Sequence, residues 1–177
     1  MEKDTAGLYL EKPKVEDATE AIKMINKWRE FGGRINPGLL RKLTGDYSEW
    51  LKEIDRSSRI EDPDVPQTLY FLKNSNGALL GAVSLRHYLN RSNIIDGGHV
   101  GYGICPEYRG NGYGNLILQL AVEKLAGMGI DKILVTCDSD NEISQKVIIR
   151  NNGILENQLY DEDGILVNRY WITINRS

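Results

Sequence analysis

The chain is short of the residues that build covalent and metal frameworks. Its 177 residues contain two cysteines, Cys105 and Cys137, and two histidines. Both cysteines sit in apolar, strand-like runs, which argues against a disulfide framework and a thiolate metal site and leads us to expect a reducing cytoplasm. With so few soft ligands a metal cluster would have to be built from carboxylates, and no such spacing stands out, so no metal site is expected. No apolar run approaches the ~20 residues that cross a bilayer, and the opening MEKDTAGLYLEK lacks a signal-peptide hydrophobic region. The net charge of −3 provides no basic excess for nucleic acid. Neither repeats nor low-complexity segments are visible.

The composition, 41% hydrophobic and 27% charged, suits one globular domain over residues 1–177. GLYLE at 7–11 reads as a strand. Val15, Ala18, Ile22, Ile25 and Trp28 recur at helical steps and should stop at Gly32–Gly33. A second helical zone carries Leu40, Leu43, Tyr47, Trp50, Leu51 and Ile54, with Asp46 and Glu49 read as a capping box after Gly45. SSRIEDPDVP at 57–66 is a polar loop. The period then changes: QTLYFLK, a turn at NSNG, ALLGAVSLRH and HVGYGICP read as three strands. A helix is predicted from Gly112 to Met128, and IDKILVTC reads as a central strand. Ser139 and Glu142 are read as a second capping box, opening a helix that runs to Asn152–Gly153. ILENQLY, DEDG and ILVNRYWITI close the chain as a hairpin. The predicted fold is mixed α/β: a largely antiparallel sheet with a βαβ crossover and helices on both faces. Residues 1–66 form its helical half and 67–177 its core and hairpin.

The chemistry concentrates in RGNGYG, residues 109–114. No Walker A sequence occurs, and Gly110, Gly112 and Gly114 miss the register of a dinucleotide fingerprint. The loop leaves a strand and opens a helix, whose N-terminal amides and partial positive charge suit an anion such as pyrophosphate. Arg109 adds a cation. The competing reading is a glycine-rich turn that only starts a helix.

Arg109-x-x-Gly112-x-Gly114 resembles the Arg/Gln-x-x-Gly-x-Gly/Ala motif of the Gcn5-related N-acetyltransferase (GNAT) family, in which the motif holds the pyrophosphate of acetyl-coenzyme A (acetyl-CoA). GYGICPEYRGNGYG and CDSDNEISQKVIIRNNG are similar to that family's strand four, loop and helix three, and to its strand five and helix four. The element order fits over nearly the whole chain. The resemblance implies a sheet splayed between the fourth and fifth strands. Acetyl-CoA would be the cosubstrate, its pantetheine pairing with Gly103, Ile104 and Cys105. It also implies that the Ile104 N–H polarises the thioester carbonyl and that Gly110, Asn111, Gly112, Tyr113 and Gly114 hold the pyrophosphate. Asn141 and Ser144 would contact the pantetheine.

The implied reaction is direct attack of a primary amine, on a small molecule or a peptide, within a ternary complex. The family's base on strand four maps near His99, whose ordinary pKa of ~6.5 suits the task; the alternative is a structural histidine. His99, Gly101 and Gly103 would share one face, the glycines leaving room for substrate. The tyrosine that many members place in helix four corresponds here to Ile149, with Tyr102 and Tyr160 as substitutes. Asp46, Asp55, Glu61, Asp62 and Asp64 would attract a cationic acceptor or form solvated surface. Trp28 and Trp50 read as core. A homodimer is carried over from the resemblance. Two other readings stand: a non-catalytic coenzyme A-binding module, and an unrelated nucleotide-binding domain.

Overall fold

A computed structural model of the chain describes residues 7–59 and 65–175. Strands β1 (Tyr9–Glu11), β2 (Gln67–Lys73), β3 (Leu79–Arg86) and β4 (Val100–Ile104) make one antiparallel sheet in that order. Strands β5 (Lys132–Asp138), β6 (Ile154–Tyr160) and β7 (Leu166–Thr173) make a second antiparallel sheet in the order β5-β7-β6. The strands are thus divided between β4 and β5, where the resemblance places the splay, and helix α4 (Tyr113–Gly127) crosses from one half to the other.

Both faces of the first sheet are covered, which explains the nearly unbroken apolar runs of β2 and β3. Leu69, Phe71, Leu79 and Ala82 face the helices α1 (Ala18–Phe31), α2 (Gly38–Arg41) and α3 (Tyr47–Ser57). Leu72, Leu80, Val83 and Leu85 face α4, which shares their core with Ile148 of α5 (Glu142–Arg150). Trp28 and Trp50 are buried in the first of these cores, as their spacing predicts, and the Trp50 indole donates to the Leu39 carbonyl. Strand β6, by contrast, is exposed along its whole length.

The helix ends follow the sequence signals in part. α1 ends at Gly32 (φ 83°), whose N–H bonds back to the Trp28 carbonyl. Asp46 caps α3 by accepting from the amides of Ser48 and Glu49, but Glu49 pairs with Lys52. At α5 the cap is Asn141 in place of Ser139. Its side-chain oxygen accepts from the Ser144 amide, two positions later than the sequence pattern suggested. An Asn at that distance from the first apolar residue satisfies the same orphan N–H groups as Ser.

One buried ion cluster ties the N-terminus to the sheet. The Lys73 ammonium lies 2.6 Å from Asp17 and 2.8 Å from Glu11, with Lys73 almost fully buried.

Candidate active site

The two sheets touch where β4 begins. The His99 N–H donates to the Leu134 carbonyl at 2.8 Å, and the Leu134 N–H donates to His99 Nδ1 at 2.9 Å. The His99 carbonyl meanwhile accepts from Arg86 on β3. One residue therefore stitches both sheets, and beyond it the ladders separate.

The register of β4 on β3 decides which groups of β4 line the split. Cys105 donates to the Leu80 carbonyl at 2.9 Å, and its register continues through Ile104 opposite Gly81 to Val100 opposite Leu85. In an antiparallel pair, hydrogen-bonded and non-bonded positions alternate. Cys105, Gly103 and Gly101 therefore turn their amides to β3, while Ile104 and Tyr102 turn theirs toward the split. Ile104 is placed where its expected role needs it. Cys105 is not: its amide is committed to β3, and its side chain is buried in the core beneath α1 and α3. The expected pairing of Cys105 with a cofactor is corrected accordingly.

After β4 the chain makes one 3-10 turn (Pro106–Tyr108) and enters the glycine loop. Gly110 (φ 75°) and Gly112 (φ 83°) occupy the left-handed region, and a Cβ at either would meet nothing within 4 Å. The glycines are thus needed for backbone conformation, and the space before them is open. Gly112 is the residue before α4, so the amides of Tyr113 and Gly114 fall in the first turn, where no intrahelical acceptor exists. The Asn111 side-chain amide clamps the loop from within by donating to the carbonyls of Tyr108 and Arg109. Arg109 does not extend along the loop. Its Nε donates to the Ile104 carbonyl at 3.0 Å, and its guanidinium stacks 5.1 Å from Phe31 and 5.7 Å from Trp28. It fixes the end of β4 against α1.

His99 does not fit the role of general base. Its Nδ1 lone pair is occupied by the Leu134 amide, which leaves Nε2 to carry the proton of the neutral ring. Burial first, then the Arg86 guanidinium, pushes its pKa down to about 4. The room expected beside Gly101 and Gly103 is also filled. A Cβ on Gly103 would collide with the Asn36 carbonyl and the Trp28 ring, and one on Gly101 would meet Pro37. These glycines admit the loop between α1 and α2, an approach between segments far apart in the chain that no local pattern announces.

A group that the sequence reading named only in pieces lies across the split. Tyr102 Oη of β4 is 3.0 Å from Ser144 Oγ of α5, with the Cys137 thiol of β5 beside both. Burial pushes the Tyr102 phenol up to about 12 and the Cys137 thiol to about 11. Ile149, which stands where the resemblance places a tyrosine, and Tyr160 are exposed.

Acidic side chains collect at a place the sequence reading did not foresee. Asp96, Asp161, Glu162 and Asp163 line a cleft of about 250 Å³, together with Ser92, Ile95 and Tyr160. Burial raises the carboxyl pKa of Asp138, at the end of β5, and the negative charge of Asp96 adds to the shift while Arg34 opposes it. Asp138 ends β5 and Asp161 follows β6, and only the pairing of both strands with β7 brings those ends together. Of the acidic set expected at the acceptor, Asp46 caps α3 and Asp55 pairs with Arg59. Glu61, Asp62 and Asp64 lie outside the described residues. Among the described residues, no group of His, Cys, Asp and Glu is placed to hold a metal, and no helix is long and apolar enough to cross a membrane.

A family model described as an acetyltransferase (GNAT) domain matches residues 8–153. Comparison with curated protein sequences gives no match. Among solved structures, a ribosomal L7/L12 α-N-protein acetyltransferase in complex with coenzyme A superposes with a TM-score of 0.69 at 18% identity, over 98% of this chain and 97% of that one. A microcin C7 self-immunity acetyltransferase in complex with acetyl-CoA and AMP gives 0.66 at 22% identity, over 96% and 94%. The spermidine/spermine N-acetyltransferase SpeG from Vibrio cholerae gives 0.67 at 15% identity, over 96% and 95%.

Proposed function

The chain belongs to the acetyltransferase (GNAT) family, and we propose that it transfers the acetyl group of acetyl-CoA to a primary amine of a small molecule or peptide. The observation that carries this reading is the polar edge of β4, which opens into the split and runs directly into a positive-φ glycine loop on the N-terminus of α4. An extended pantetheine arm needs such an edge for pairing, and a pyrophosphate needs such amides. Ile104 offers its N–H to the thioester carbonyl, an oxyanion-type contact. Gly110, Asn111, Gly112, Tyr113 and Gly114 cradle the pyrophosphate. Asn141 and Ser144 line the α5 side of the arm. Arg109 acts indirectly, by holding the Ile104 carbonyl and with it the direction of the Ile104 peptide.

An alkylamine is protonated near neutral pH and must lose a proton before it attacks. In this reading Asp138 takes that proton. Its raised carboxyl pKa brings it closer to the operating pH than an ordinary aspartate, which favours general-base action. Asp96 and the acidic cleft beside it supply the negative potential that gathers a cationic amine. The amine acceptors in the names of two similar structures, a ribosomal protein and spermidine, are of this class.

The test is calorimetric titration of the wild-type chain and of Gly112→Val with acetyl-CoA, using ATP and NAD as controls. Selective binding to the wild type, lost in the variant, is expected. Equal binding by the variant, or none by either, would reduce RGNGYG to a turn. Binding without turnover on a panel of polyamines and peptide amines would favour a non-catalytic coenzyme A-binding module.

A further inference from the structure

We propose that Arg34 and Arg41 form an anion subsite beside the acceptor, so that the acceptor is a zwitterion. Its amine meets Asp138, and a carboxylate or phosphate on the same molecule meets the two guanidiniums. This inference rests on the acetyltransferase reading above, with Asp138 as base, and narrows its acceptor class.

Placement comes from the two strands that border the split. They leave the His99–Leu134 junction in the same direction, because Tyr102 and Cys137, three residues on, come together at Ser144. Gly103 and Asp138, four residues on, are therefore level across the split. Their faces agree as well. Ile133, Val135 and Cys137 of β5, like Tyr102 and Ile104 of β4, pack toward α4 and α5. Alternation turns Asp138 and Gly103 to the opposite face. There Gly103 receives the Asn36 carbonyl and Gly101 receives Pro37, which seats the loop between α1 and α2 on this face of β4. Arg34 stands two residues before Asn36 in that loop. Its charge reaches Asp138, where it opposes the rise that burial and Asp96 impose on the carboxyl pKa.

The same loop brings a second cation. Burial first, and then the charge of Arg34, lowers the pKa of Arg41 in α2, so the two guanidiniums are near neighbours. The Arg41 guanidinium lies over Gly38, where a Cβ would meet its Nη2 at 2.7 Å. Arg29, Arg86, Arg109 and Arg169 are each committed to a backbone carbonyl. Arg34 and Arg41 are exposed, and neither makes a hydrogen bond or ion pair with a described residue. Two neighbouring guanidiniums with open forks suit the bidentate geometry of a carboxylate or phosphate. Positive charge thus borders the split on the β4 side, and Asp138 and Asp96 place negative charge on the β5 side. A polyamine would meet the arginines with charge of their own sign. A molecule that carries both an amine and an anion is complementary to both sides.

The test uses matched acceptors that differ only in the anion. With saturating acetyl-CoA, kcat/KM is measured on aspartyl-alanine amide against asparaginyl-alanine amide, and on phosphoserine amide against serine amide. Spermidine is the polyamine control. The wild type should favour the anionic member of at least one pair by about tenfold, the size of a hydrogen bond between charged groups. It should favour that member over spermidine as well. The pair that shows the preference tells carboxylate from phosphate. In the double variant Arg34→Gln, Arg41→Gln the ratio within that pair should fall to about one.

Turnover without preference for the anion in either pair, or a preference that the double variant keeps, would overturn the proposal and leave the acetyltransferase reading intact. If no pair is acetylated, the same pairs are titrated calorimetrically into the coenzyme A complex, where the absence of an anion preference overturns it equally. Failure of the wild type to bind acetyl-CoA would overturn both readings. Should the double variant not fold, Arg34→Lys and Arg41→Lys take its place. They keep the charge and lose the fork, so the ratio should fall severalfold, and an unchanged ratio overturns the proposal.

Discussion

His99 and Leu134 exchange two hydrogen bonds at the point where the two sheets meet, one through the His99 amide and one through its ring. The ring is thus part of the backbone ladder, so its protonation state is a matter of stability. The folded pKa of about 4 lies below the ordinary ~6.5 of histidine. The stabilisation is therefore complete above about pH 6.5 and is lost as pH falls toward 4. His99→Ala leaves the Leu134 amide without its acceptor and should cost about 1–3 kcal/mol. Chemical denaturation at pH 7.5, 6 and 4.5 checks both points: the variant should be less stable at pH 7.5 and show a flatter fall with acid. Wild-type stability at pH 7.5, together with a large loss of turnover, would restore His99 to the chemistry.

The Lys73 cluster offers a second stability test. Its ammonium is almost fully buried between Asp17 and Glu11. Asp17→Ala removes the nearer carboxylate and leaves a buried cation half-compensated, at an expected cost of about 3 kcal/mol. Lys73→Met with Asp17→Leu, which removes both charges, should recover part of that loss, measured as the denaturation midpoint.

Gly103 is pinned by the loop between α1 and α2. Its missing Cβ would collide with the Asn36 carbonyl and the Trp28 ring. Gly103→Ala should therefore destabilise by about 1–3 kcal/mol, the usual range for overpacking. Gly110→Ala meets no neighbour, and its cost should be limited to the left-handed backbone, about 1–2 kcal/mol. Thermal unfolding of the pair separates crowding from conformation.

Arg109 holds Ile104 by a planar donor and two aromatic faces, a geometry that an ammonium cannot reproduce. Arg109→Lys should weaken acetyl-CoA binding while keeping the formal charge. Calorimetry would show unchanged affinity if the arginine served only as a diffuse cation.

Asp138→Asn removes the proposed base. Turnover on a good acceptor should fall by about 10²- to 10⁴-fold with acetyl-CoA affinity unchanged. The acid limb of the wild-type rate profile should lie above the ~3.9 of an ordinary aspartate, because burial and Asp96 raise the Asp138 pKa. A profile and rate untouched by the substitution would assign the proton to another group.

Local grammar in the sequence carried most of the fold. Helical spacing located α1, α3 and α4 and the two buried tryptophans, because a 3.6-residue period leaves the same trace wherever the helix packs. Alternation and turn residues located the strands, and the order of elements anticipated sheet, crossover and hairpin. RGNGYG stood out because positive φ and close approach both call for glycine, so the loop's conformation is written in its residues. The α5 cap slipped by two residues because Ser139 and Asn141 are chemically competent for the same amides.

What remained was decided by contacts between segments far apart in the chain. The sequence leaves His99 open as a base or as a structural histidine; only the approach of β5 occupies its nitrogen and buries it. Whether Cys105 or Ile104 faces the split depends on a one-residue register between β4 and β3, and no composition encodes that parity. Tyr102, Cys137 and Ser144 become one group only because three elements converge, and the acidic cleft forms only where the loop before β4 meets the turn between β6 and β7. The sequence by itself determined the elements and the glycine loop, since these answer to local sterics and periodicity. The tertiary structure decided which groups are buried, bonded or open to a ligand, since desolvation and hydrogen bonding depend on neighbours in space.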